Sequence, residues 1–126
     1  MVLHKNFHDF VLFLYIHMAL ADNVLHPSEE QVILEKMAKL FPAESDLKTK
    51  YDLAVAEYRA LDPGMVMVVI HDTFKSFDNV KFAQKYKVYS EMYDVVNADG
   101  KVEESEKMAL DALKEIININ AEARHA

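Results

Sequence analysis

The stretch Ala98-Asp99-Gly100-Lys101-Val102-Glu103-Glu104-Ser105-Glu106 has a second, related copy in the chain, Ala21-Asp22-Asn23-Val24-Leu25-His26-Pro27-Ser28-Glu29. An offset of 77 residues (99 minus 22) aligns the copies, which share Ala, Asp, Ser and Glu. Asn23 aligns with Gly100, and these residue types most readily adopt the left-handed backbone of a tight turn. Each copy therefore predicts a helix end, a tight turn, one buried aliphatic side chain and a new helix. The wide spacing indicates a duplicated half-domain rather than a solenoid repeat.

The composition favours a helical domain. The chain has 126 residues, enough for one domain with a substantial core, and 52% of them are hydrophobic. Only two glycines and three prolines are present, which argues against a many-stranded β fold. The sequence therefore predicts an all-α fold, in which residues 1–126 form a single compact domain of six or seven helices with an internal pseudo-two-fold repeat of helix–acidic turn–helix.

The net charge and the lack of cysteine disfavour or exclude several kinds of function for this protein. The formal net charge of −7 disfavours binding to a nucleic-acid backbone and is compatible with a cation ligand or a basic protein partner. The absence of cysteine excludes disulfides, thiolate zinc sites and cysteine nucleophiles. We expect a cytoplasmic protein with protein partners and no nucleic-acid ligand.

Residues 10–21 form an apolar run that resembles the core of a signal peptide. Asp9 lies where a signal would be positively charged, His17 interrupts the run, and cleavage after Ala21 would cut the first motif. The run is also too short to span a bilayer. We expect a buried central helix there and no direct insertion into a membrane.

The spacing of apolar residues, the prolines and the candidate capping residues predict where the helices begin and end. We expect them over about residues 3–21, 27–40, 44–61, from 63 onward, 79–97 and 103–118. The β-branched run Met65–Ile70 could also form a buried strand, but a lone strand would leave its backbone groups unpaired, so a helix is expected. Leu53 is expected to point inward, and Lys81, Lys85 and Lys87 to mark a solvated side of the fifth helix.

The acids repeated in the two motifs form the main candidate site. Asp22, Glu29, Asp99 and Glu106 supply the hard oxygen ligands that calcium and magnesium prefer. A second interpretation needs no ligand, because Asp shapes turns and Glu in a first helical turn interacts favourably with the helix dipole. The in-register repetition of both acids favours a metal site, since capping alone would accept Ser, Thr or Asn.

His17 and Asp94 are weaker candidates. They occupy the same position in the two halves, five residues before each motif aspartate. If their helices pack side by side, the two could join the acids and shift the preference toward zinc or another transition metal. A lone histidine on an apolar helix is more often a hydrogen-bonded core residue.

Two other kinds of site are disfavoured. The second motif matches part of a calcium EF-hand loop, but Val95 stands where that loop needs its first carboxylate, and the first copy has Met18 there. No phosphate-binding loop, G-x-S-x-G or HExxH motif is present, and Ser28 and Ser105 are explained by helix starts. We therefore expect no enzyme; a metal-dependent hydrolase would need a cleft with an open metal position.

The doubled motif A-D-[GN]-x-[VL]-x-x-S-E resembles the TerB-like family of tellurite-resistance proteins, over most of the chain. The resemblance implies an all-α domain with an acidic surface, metal binding, and a role in bacterial stress complexes rather than catalysis. It assigns the motif acids to Asp22, Glu29, Asp99 and Glu106. The first turn departs from the family pattern, because Asn23 replaces glycine. We expect a non-enzymatic domain whose paired turns bind calcium, magnesium or zinc; the alternative is an acidic protein-interaction module that binds no metal.

Overall fold

A computed structural model describes residues 6–21, 26–77, 82–97 and 104–125 of the chain. Within these ranges the protein has six α-helices and no strand: α1 Phe7–Ala19, α2 Pro27–Leu40, α3 Leu47–Ala60, α4 Pro63–Ser76, α5 Phe82–Val96 and α6 Glu104–His125. The all-α prediction is confirmed. None of these helices is long and apolar enough to cross a membrane, as far as the described residues go.

Helix α1 lies at the centre of the fold. Residues 10–16 and 18–20 are all buried, so the helix is covered on nearly every side. It packs against α2, α3, α5 and α6. Phe10 is fully buried and meets the ring of Phe74 edge-on, with the ring centroids 4.9 Å apart. The apolar run therefore forms a core helix, as its composition predicts, because burial of apolar surface drives it inward.

In the sequence, each motif lies between two helices, and the two helix pairs, α1–α2 and α5–α6, make equivalent contacts. Helix α1 packs on α2, and α5 packs on α6. The pairs join through α1 against α5, and the crossed contacts α2–α5 and α1–α6 both occur. Helix α3 covers α1 and α2, while α4 packs against α6. This arrangement places the residues that lead into each motif, at the ends of α1 and α5, on two helices that pack against each other.

Local signals account for the helix starts. Asp62 caps α4, where its Oδ1 accepts from the backbone N–H of Gly64 at 2.9 Å, and Pro63 is the first helical residue. Residues 65–70 lie within this helix, so the helical prediction is correct. Pro27 likewise begins α2. Asp46 caps α3 by accepting from the backbone N–H of Thr49, so this helix begins three residues later than the sequence predicts.

Three sequence expectations are wrong. Helix α6 continues to His125 instead of ending near residue 118, because no glycine or proline interrupts it. Leu53 points outward and is 67% exposed, since α1 and α2 cover the opposite face of α3. Lys85 is only 3% exposed, and its Nζ donates to the carbonyl oxygen of Phe74 at 3.4 Å, so the side chain packs against the end of α4. The cap predicted at Asp78 lies outside the described residues.

Candidate functional site

The two motif glutamates occupy the same structural position. Glu29 is the third residue of α2 and Glu106 is the third residue of α6. Glu29 is 1% exposed and Glu106 is 2% exposed. A glutamate that only complements a helix dipole needs no burial, and burying a carboxylate is costly unless other groups compensate its charge. The burial of both residues therefore requires more than a favourable position in the first turn.

The core around the motifs repeats at the same offset. In five pairs of residues separated by 77 positions, both members are buried. They are Val11 and Val88, Tyr15 and Met92, Met18 and Val95, Ala19 and Val96, and Ile33 and Leu110, all buried. These positions include the two residues that would supply the first ligand of an EF-hand loop. Met18 and Val95 are buried core residues within α1 and α5, so neither supplies the first carboxylate of such a loop.

Glu29 lies in a polar setting at the start of α2. The Nε2 atom of His26 is 3.8 Å from Glu29 Oε1, and other residues of the chain also interact with this glutamate. Glu106 has interaction partners in the chain as well. Each of the two buried glutamates therefore interacts with other groups of the protein.

Tyr51 adds a buried hydroxyl to this region that the sequence pattern did not single out. Its side chain is 1% exposed, and its hydroxyl has no hydrogen-bond partner among the described residues. Burial raises the pKa of Tyr51, and the charges of Glu30, Asp52 and Glu29 raise it further. The phenol therefore stays protonated at neutral pH. Helical spacing predicts Tyr51 to be a core residue, but its proximity to Glu29 and Glu30 depends on the packing of α3 on α2.

His17 and Asp94 have separate partners on different helices. The Nδ1 atom of His17 is 2.8 Å from the hydroxyl oxygen of Tyr58 on α3. Burial lowers the pKa of His17 to about 4, so the ring is neutral at physiological pH. On α5, Asp94 Oδ2 lies 3.2 Å from Lys36 Nζ of α2, and Lys36 also pairs with Glu91. These contacts give both side chains structural roles of their own.

The described residues contain part of the predicted metal site. Glu29 and Glu106 are placed, whereas Asp22 and Asp99 lie outside the described ranges. Within those ranges no three His, Asp or Glu side chains come close enough together to hold a metal ion. Among the described residues, Glu29, Glu106, His17 and Asp94 therefore do not form a metal site by themselves.

Comparison with known proteins identifies the family. A family model described as tellurite resistance protein TerB matches residues 8–126, nearly the whole chain. Comparisons with curated proteins and with solved structures gave no match. The matched region includes all six helices and both motifs, and the all-helical fold agrees with the family assignment. The chain therefore belongs to the TerB family.

Proposed function

We propose that this protein is a non-enzymatic TerB domain whose two acidic turns together bind one divalent cation. The observation that carries the proposal is the burial of Glu29 and Glu106 at equivalent positions, the third residue of α2 and of α6. Asp22 and Asp99 belong to the same two motifs and complete a set of four carboxylates. Four oxygen donors without a thiolate suit a hard cation such as calcium or magnesium, and zinc is the softer alternative.

The fold supports a shared site for the two turns. Helices α1 and α5 pack against each other, and each leads directly into one motif. The motif glutamates lie in the first turns of α2 and α6, and each of these helices packs on both α1 and α5. A cation held by carboxylates from both halves would also offset the electrostatic cost of burying Glu29 and Glu106. Its cellular role would then be that of a cytoplasmic, tellurite-resistance and stress-associated domain acting with protein partners.

Thermal unfolding tests the proposal directly. A ligand that binds only the native state at 100 times its dissociation constant adds about 2.7 kcal/mol of stability. For a domain of this size, that gain raises the melting temperature by roughly 10 °C. We expect such a rise with one of calcium, magnesium, manganese or zinc, and its loss in an Asp22→Asn/Asp99→Asn variant.

A matched control keeps this test specific. Glu35 and Glu115 are exposed on α2 and α6, so an E35Q/E115Q variant has the same change in net charge away from the motifs. It should retain the full metal-induced rise. No rise with any of the four metals, or an equal rise in the D22N/D99N variant, would overturn the metal proposal.

The acidic net charge supports a second candidate, an interaction module that docks a basic protein segment without an ion. Binding of a lysine- and arginine-rich helical peptide that survives a chelator and weakens steeply with salt would favour this function. Binding that disappears on chelation would instead connect the partner to the metal site.

A further inference from the structure

A groove of about 330 Å³ lies between α2 and α5, with α1 beneath it. Its volume falls within the range of small-molecule sites, which is about 300–1,000 Å³. Val11 and Val88 are buried side chains that line its apolar part. Phe7 and Leu40 are half-buried and extend this apolar lining.

The groove carries positive charge although the protein is acidic. Lys36, Lys39 and Lys87 line it together with a single acid, Glu91, in a chain whose net charge is −7. Lys36 is engaged by Glu91 and Asp94. Lys39 and Lys87 are exposed, and neither forms an ion pair with any residue that the structure describes. Two ammonium groups are therefore available to a ligand beside an apolar surface.

Tyr15 adds a neutral donor to the same groove. Burial raises the pKa of its hydroxyl, and the nearby charges of Glu91 and Asp94 raise it further. The phenol therefore remains protonated and can donate to an anion without repelling it. An apolar lining with a few convergent polar groups is the usual composition of a small-molecule site.

The groove is separate from the acidic motifs. Its lining residues on α1 end at Tyr15, those on α5 end at Glu91, and those on α2 begin only at Lys36. In each helix the groove thus uses the part that lies away from the motif turn. Neither Glu29 nor Glu106, the two motif acids that the structure describes, lines the groove.

We propose that this groove binds a small amphipathic organic anion, with its apolar chain along Val11 and Val88 and its carboxylate head at Lys39 and Lys87. The positive charge of Lys39 and Lys87 favours an anion, because their two unpaired ammonium groups complement one carboxylate. The limited volume between the three helices fits a small molecule better than a nucleic acid or the extended surface of another protein.

Calorimetric titration of the full chain with decanoate, below its micelle concentration, tests the proposal. Each methylene buried in the groove should strengthen binding roughly four-fold, so decanoate should bind much more tightly than hexanoate. Decanol, which has no charge, and decyltrimethylammonium, which is cationic, should bind more weakly than decanoate. In methyl NMR spectra, decanoate should shift the signals of Val11 and Val88.

Paired lysine variants locate the head group. Lys39→Gln/Lys87→Gln should weaken decanoate binding roughly ten-fold, because charge-assisted hydrogen bonds are about twice as strong as neutral ones. Lys75→Gln/Lys107→Gln removes the same charge from exposed positions on α4 and α6, outside the groove, and should leave the affinity unchanged. Equal affinity for decanol, equal weakening in both double variants, or unshifted Val11 and Val88 methyls would overturn the proposal.

Discussion

Acidification from pH 7 to pH 5 should destabilise the protein through His17. The half-buried ring packs against α3, with Nδ1 2.8 Å from the Tyr58 hydroxyl, and desolvation lowers its pKa from 6.5 to about 4. As the pH falls through 6.5, the unfolded chain binds a proton that the folded protein does not bind until the pH approaches 4. The free energy of unfolding therefore falls between these values, and His17 has almost no effect on it above pH 7.

The size of the effect follows from the two pKa values. The lowering from 6.5 to about 4 corresponds to a maximum of roughly 3 kcal/mol, reached below pH 4. Between pH 7 and pH 5 the loss from this residue is about 2 kcal/mol. Domains of this kind have total stabilities of about 5–15 kcal/mol, so the loss is large enough to measure.

Urea unfolding followed by circular dichroism gives the measurement, with wild type and His17→Gln compared at both pH values. Glutamine does not titrate and retains hydrogen-bonding groups for Tyr58, so the variant should lose about 2 kcal/mol less than wild type on acidification. The double difference cancels the contributions of the other acids and histidines. His71→Gln changes an exposed histidine on α4 and should behave as wild type. The same pH-dependent loss in wild type and His17→Gln would refute the reasoning.

Two further predictions concern stability, and urea unfolding measures both. Phe10→Ala should cost about 3–5 kcal/mol, because it empties a fully buried position against Phe74, whereas Leu53→Ala at an exposed site should stay within about 0.5 kcal/mol. Similar losses at the two sites would contradict a central α1. Asn6→Ala should cost about 1 kcal/mol, since Asn6 Oδ1 accepts from the backbone N–H of His8 at 2.8 Å and caps α1. Asn6→Ser should retain most of that stability, and an equal loss in both variants would show that the capping hydrogen bond is not its source.

Much of the helical layout could be predicted because its signals are local. Pro27, and Asp62 with Pro63, act on the backbone beside them, so the starts of α2 and α4 follow from short stretches of sequence. The helix over residues 65–70 was predicted by exclusion, since a strand needs a partner. Errors arose where the outcome depends on distant contacts: Leu53 and Lys85 have the expected helical positions, but neighbouring helices decide which of their faces is covered.

The repeated motif, its four acids and the helical class can be predicted from the amino-acid sequence, because all three depend on residue type and short-range spacing. The burial of Glu29 and Glu106, the contact of His17 with Tyr58 and the pairing of Asp94 with Lys36 become visible only in the folded protein. The same is true of the groove, whose lysines come from α2 and α5 and whose apolar lining comes from α1, α2 and α5. Burial and charge pairing depend on which helix faces pack together, and that packing joins residues far apart in the chain.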